Sequence, residues 1–269
     1  AFSRSDHTNV DIFTVEPGGG GGGVLVGGPA NDTRPQWSPD GLKIAFNRST
    51  PSNWSIVVAN ANGSSQTEVV SGDNFSPSWS RDGKKLIYSR GGDIFTHALE
   101  TGVEQQLTSG AAMDGLPIWS PVADVIAFVR LDNSPYLIHT MNADGSGQQA
   151  LTQGFAPSWS PDGQRIAFRD GFALFTIAIS GGGSKKLADL QIVGTISTAW
   201  SPDGQRIAFD DSDTQDSGNL KIFTIPANGG AITKVTDPPP GETHMFPAWQ
   251  PVPATKVEFT QAIQELQSI

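Results

Sequence analysis

The chain has 269 residues, 37% of them hydrophobic, no cysteine and a formal net charge of −10 at pH 7. The absence of cysteine excludes disulfides, thiolate catalysis and thiolate metal sites, and the acidic balance leaves no broad basic surface for nucleic acid. No apolar run approaches the roughly 20 residues of a membrane helix, and the opening Ala1-Phe2-Ser3-Arg4 lacks the charged and apolar regions of a secretion signal, so a soluble chain without membrane insertion is expected.

In chain order, Val10-Asp11-Ile12-Phe13-Thr14-Val15 and Gly23-Val24-Leu25-Val26 read as two short strands around the glycine-rich turn at residues 18–23. One unit then recurs. Trp37, Trp79, Trp119, Trp159, Trp200 and Trp249 stand 42, 40, 40, 41 and 49 residues apart, each beside Ser-Pro-Asp-Gly or a worn version of it. A period near 40 with one short signature per unit marks an architecture in which each unit buries its apolar face on its neighbours.

The best-kept copy, Pro157-Ser158-Trp159-Ser160-Pro161-Asp162-Gly163-Gln164-Arg165-Ile166-Ala167-Phe168, reads as two strands joined by a tight turn. Pro presets φ, Asp bonds the local backbone and Gly accepts the exit conformation of a type I turn. Trp159 and Pro157 share a face of the first strand, as Ile166 and Phe168 do on the second. A tryptophan buries about 150–250 Å², so six of them dominate the packing between units.

The aromatics Phe46, Tyr88, Phe128, Phe168 and Phe209 end the second strands, and Phe259 follows Trp249 at a similar distance. A third apolar run, a turn with Gly and a short fourth strand follow in each complete copy, and four strands per unit make a propeller blade. After Trp249 only two strands remain, the second being Lys256-Val257-Glu258-Phe259, while the two strands ahead of Trp37 match the third and fourth of other units. The expected fold is all-β: one six-bladed β-propeller over residues 1–269, its last blade closed by two strands from each terminus. Residues 10–30 supply the outer pair and residues 260–269 a tail.

At Pro-x-Trp-Ser-Pro-Asp-Gly followed by Ile-Ala-Phe, the chain resembles the TolB-like propellers, relatives of the WD-repeat group. The motif is well kept at Trp37, Trp159 and Trp200, altered at Trp79 (Ser80-Arg81-Asp82-Gly83), and degraded at Trp119 and Trp249. The resemblance implies the fold. For function it implies a choice among periplasmic protein-binding modules, peptidase covers and polysaccharide lyases, and a periplasmic or secreted location. TolB itself carries a further amino-terminal α/β domain and binds a lipoprotein across its propeller mouth; the third blade strand here starts near residue 10, so no such domain is expected.

Candidate site residues come from where the copies differ. Five residues before each repeat tryptophan, at the inter-blade mouth, stand Asp32, Asn74, Asp114, Gly154, Thr195 and His244. Their polar groups could hold a ligand or cation on the axis, with Asp32 and Asp114 the metal candidates and calcium the ion for hard oxygen ligands; loop-start Asp and Asn also simply form local turns. Two residues past each second-strand aromatic stand Arg48, Arg90, Arg130, Asp170, Asp211 and Gln261, which would make a dipolar rim or ion pairs with carboxylates of adjacent blades on a solvated rim. Phe75, Phe155, Met245 and Phe246 lie in inter-blade loops. The loop at residues 210–218 concentrates four carboxylates, readable as a calcium site or as a solvated turn. Of the four histidines, His7, His97 and His139 read as structural or surface residues, and His244 is the candidate base.

These residues lead to a non-catalytic, monomeric binding module without a required cofactor, recognising a protein segment, peptide or small polar ligand at the channel mouth. The leading alternative is a uronate polysaccharide lyase built on His244, mouth arginines and a cation; the third is an architectural domain of a larger protein.

Overall fold

The computed structural model describes residues 1–6, 8–132, 135–191, 197–213 and 219–251. Their strands form six four-stranded antiparallel sheets, the blades of a six-bladed propeller. Blade 1 runs outward through Asn31–Trp37, Lys43–Thr50, Asn53–Asn60 and Thr67–Ser71. Blades 2 to 5 repeat it over residues 74–106, 113–153, 155–189 and 198–234. No helix among the described residues is long and apolar enough to cross a membrane.

The signature builds the first turn of blades 1, 2, 4 and 5. Ser38 Oγ donates to Asp40 Oδ1 at 2.6 Å and accepts from the Lys43 amide at 2.9 Å, while the Gly41 amide donates to the Ser38 carbonyl at 2.8 Å. Gly41 turns at φ 69°, where a Cβ would meet the Pro251 carbonyl oxygen at 2.4 Å, so only glycine fits. Ser80 with Asp82, Ser160 with Asp162 and Ser201 with Asp203 repeat the bond.

Period two on the second strand then joins the blades. Ile44 and Phe46 face Ile12, Val26 and Ala248 of blade 6, whereas Ala45 faces Trp79, Leu86 and Tyr88 of blade 2. The same rule places Trp119, Trp159 and Trp200 in the clusters between blades 2 and 3, 3 and 4, and 4 and 5. Tryptophan also pins its neighbour by a polar bond: Trp79 Nε1 donates to the Gln36 carbonyl, Trp159 Nε1 to that of Ile118 and Trp249 Nε1 to that of Ala199.

Both termini close the ring, but not as two strands each. Blade 6 has the order Thr243–Met245, Phe2–Ser5, Val10–Phe13, Val24–Val26, so the amino-terminal segment supplies three strands and the carboxy-terminal segment one. Phe2–Ser5 pairs with both neighbours, and buried Phe2 takes the place of the second-strand aromatic. Ala1-Phe2-Ser3-Arg4 is thus the sixth copy of the pattern Ala45-Phe46-Asn47-Arg48, and Arg4, not Gln261, is the sixth arginine-position residue. Lys256-Val257-Glu258-Phe259, Gln261 and the expected tail lie outside the described residues.

Candidate functional site

Because successive strands are antiparallel, the start of each first strand, the end of the second and the start of the third lie on one face. Position five before the tryptophan therefore meets position two past the aromatic: Asp32 pairs across the strands with Arg48, Asn74 with Arg90, Asp114 with Arg130 and His244 with Arg4.

In blades 1 and 3 these partners satisfy one another within the blade. Arg48 Nε and Nη2 donate to Asp32 Oδ1 and Oδ2 at 2.7 and 2.8 Å, and Arg130 makes the same fork on Asp114 at 2.7 Å for both bonds. Each guanidinium also covers its own second-strand ring, Phe46 or Phe128, at 5.3 and 5.2 Å. Burial pushes the Asp32 carboxyl above its ordinary range, with Arg48 pulling the other way. Arg90 turns outward to Glu104 at 3.0 Å and stacks over Phe95. Asp211 is buried and accepts from the Gln191 amide, and Asp170 accepts from Gln153. Asp213, in the described part of the acidic loop, pairs with Lys221, and residues 214–218 and Thr195 lie outside the described residues. Among the described residues no three His, Asp or Glu side chains gather to hold a metal.

His244 is buried against the Phe2 ring, 4.7 Å between centroids, and neither ring nitrogen has a hydrogen-bond partner among the described residues. Burial, then the charge of Arg4, lowers its pKa to about 4. Arg4 itself is forked on Glu242 at 2.6 and 2.8 Å. A neutral imidazole without a relay partner is placed to pack rather than to move protons. His97 and His139 are third-strand residues, the latter against Phe128 at 5.5 Å, and His7 lies outside the described residues.

The aromatics stand differently. Phe75 is 41% exposed and rests on Trp54, 5.2 Å between ring centroids; one blade pair further on, Phe155 rests on Tyr136 at 5.1 Å. Trp54 and Tyr136 open third strands, Phe75 and Phe155 lie at the start of first strands, so both pairs bridge neighbouring blades on the same face. Met113, 61% exposed, opens the first strand of blade 3 between the pairs, and exposed Phe172 continues the arc on blade 4.

The first strands enclose a channel of about 460 Å³ that runs to the turns of the opposite face, lined by Pro77, Pro117, Pro157 and Pro247 of the strands, by the turn prolines, by five of the six repeat tryptophans and by one residue from each blade, of which the sequence reading used only Phe246: Arg34, Ser76, Leu116, Ala156, Ser197 and Phe246. Each stands three before its tryptophan. Five of them turn at φ 49° to 57°, a left-handed conformation unusual for side chains other than Gly, and bulges interrupt the ladder there in blades 1 to 4. Polar groups of the preceding blade hold the bent backbone: Ser3 Oγ accepts from the Arg34 amide, Asn47 Oδ1 from that of Ser76 and Asp210 Oδ2 from that of Phe246. Strain so fixed re-aims one side chain per blade at the axis. Arg34 is the one charged residue in that lining. Desolvation lowers its pKa to about 10, with Asp210 opposing, so it remains a cation at neutral pH.

Residues 1–154 match the family model for the TolB beta propeller domain. A 62-residue segment is 40% identical to the Tol-Pal system protein TolB of Gluconobacter oxydans, covering 22% of this chain and 14% of that one. In structure, 93% of the chain superposes on 65% of TolB from Acinetobacter baumannii with a TM-score of 0.81 at 18% identity, and 91% on 97% of a chain in a nidogen/laminin complex with 0.70 at 11%. The chain thus spans less than two thirds of either TolB in these matches. With the family match extending over more than half of its residues, this chain belongs to the TolB β-propeller domain family.

Proposed function

We propose that the protein is a binding module that holds an extended segment of a partner protein across the face where the inter-blade loops open, with the channel beneath it receiving a side chain. The observation that carries this reading is the arc of exposed Trp54, Phe75, Met113, Tyr136 and Phe172, with half-buried Phe155 among them, on one face. Large apolar side chains gathered on a single face mark an interaction surface, and paired aromatics grip a segment at low entropic cost. Likeness to a Tol-Pal system protein fits such a role. The buried, partnerless His244 and the consumed carboxylates supply no acid–base pair, which favours binding over the lyase chemistry.

Panning a displayed peptide library against the protein tests this. Selected peptides should lose at least tenfold in affinity on Trp54→Ala with Tyr136→Ala, and keep it on Leu42→Ser with Val103→Ser, exposed residues of the opposite face. Peptides indifferent to the aromatic pair would contradict the proposal.

A further inference from the structure

The channel has a sign. Of its lining, only Arg34 carries charge, and its guanidinium sits over the Phe246 ring, 4.3 Å from carbon to centroid. Stacking uses the face of a guanidinium and leaves its edge donors free. No hydrogen bond or ion pair joins that edge to another described residue; Asp210, whose charge reaches it, is engaged by the Ser197 and Phe246 amides and by Arg169. By contrast, the arginines two past the second-strand aromatics, Arg4, Arg48, Arg90 and Arg130, each have a carboxylate fork or pair.

A second, separate observation points the same way. The Ser76 and Ser197 hydroxyls, at the same height on other blades, are buried and have no hydrogen-bond partner among the described residues. Two orphaned hydroxyls and an unpaired planar cation around one cavity form a donor-rich ring, and buried donors without acceptors are costly unless a ligand supplies the oxygens.

We infer that the channel is a carboxylate-binding subsite, in which Arg34, seated over Phe246, grips the anion with its free donors while Ser76 and Ser197 donate to its oxygens. This rests on the reading of the aromatic face as the place where a partner lies, and it specifies that partner: an acidic segment whose Asp, Glu or terminal carboxylate descends into the channel. Bidentate geometry suits a planar carboxylate, and the aromatic arc above suits the apolar residues flanking it.

Titration calorimetry at fixed ionic strength with sodium citrate and, separately, hexaglutamate tests the inference. Arg34→Gln should weaken both at least tenfold without changing the melting temperature, Arg34→Lys should recover part of the loss, and the Arg34 Nε–H resonance should shift on titration. Should Arg34→Gln fail to fold, Phe246→Leu, which unseats the guanidinium, is expected to weaken both ligands on an intact scaffold. Binding of citrate alone would assign the site to free small carboxylates; binding of both, with hexaglutamate further weakened by Trp54→Ala and Tyr136→Ala, would assign it to a protein segment, and either supports the subsite. Hexaglutamate sensitive to Arg34 but indifferent to Trp54 and Tyr136 would sustain the channel and sink the aromatic face. Wild-type protein that binds neither probe, or Arg34→Gln that binds both as well as wild type, overturns the inference.

Discussion

Arg48 and Arg90 occupy the same position of successive blades, yet their removal should have unequal effects. The Asp32 side chain is 0% exposed and Arg48 24%, whereas Arg90 and Glu104 are 32% and 34% exposed. Arg48→Ala strips two charge-assisted hydrogen bonds from a carboxylate that water cannot fully reach. Removing one partner of a buried pair costs about 3–5 kcal/mol, and the partial exposure of Arg48 puts the loss near the lower bound, ~3 kcal/mol. Arg90→Ala breaks a pair that solvent already screens and should cost under about 1 kcal/mol. For a chain of this size ~3 kcal/mol lowers the melting temperature by roughly 6–12 °C. The pH dependence has a definite sign. Burial raises the native Asp32 pKa, so its neutral form stabilises the fold at acidic pH, and that contribution is lost as pH rises through the raised value. Without Arg48 the value rises further, so the deficit of Arg48→Ala relative to wild type narrows as pH falls from neutral. Urea unfolding of both variants, and of Asp32→Leu with Arg48→Met, measures this; the double variant should recover most of the loss. Equal destabilisation by Arg48→Ala and Arg90→Ala, or a deficit that widens in acid, would refute the reasoning.

The buried neutral His244, with its pKa lowered from 6.5 to about 4, makes wild-type stability decline as pH falls from about 6.5 towards 4, by ~3 kcal/mol in all. His244→Phe should flatten that part of the profile in thermal melts; an unchanged slope would place the acid sensitivity elsewhere. Ala156 turns at φ 51°, so Ala156→Gly should raise stability by about 0.5–1 kcal/mol in chemical denaturation rather than lower it as glycine usually does in a strand. Deleting residues 1–30 removes three strands of blade 6 and bares the edge of Thr243–Met245. Aggregation by size-exclusion chromatography is expected, and a monomer with wild-type melting would contradict the closure.

The blade count was legible because tryptophan, turn and aromatic recur at fixed spacing, and each is needed for a local physical reason. The division of blade 6 was not, since Ala1-Phe2-Ser3-Arg4 stands without the tryptophan and turn that precede every other second strand. Its match to Ala45-Phe46-Asn47-Arg48 was the available signal. At the site, Asp32 and Arg48 read as independent ligands because the bulge is invisible in the sequence. Continuing the pairing of Trp37 with Ile44 along the strands would set Asp32 opposite Ser49, and the one-residue bulge moves it opposite Arg48. That bulge also hid the channel ring. A residue before proline is normally extended, so nothing local announces that Arg34 or Phe246 turns left-handed and points inward; only the hydrogen bonds from the preceding blade make it so.

The most direct measurement of the account is hydrogen–deuterium exchange on the protein with and without a panned acidic-aromatic peptide. Protection should appear at residues 53–55, 74–76, 113–116 and 155–157, with the outer hairpin turns at residues 60–64, 99–103 and 143–147 of the opposite face unchanged. Protection centred on those turns, or on the outer strands of the blades, would contradict it.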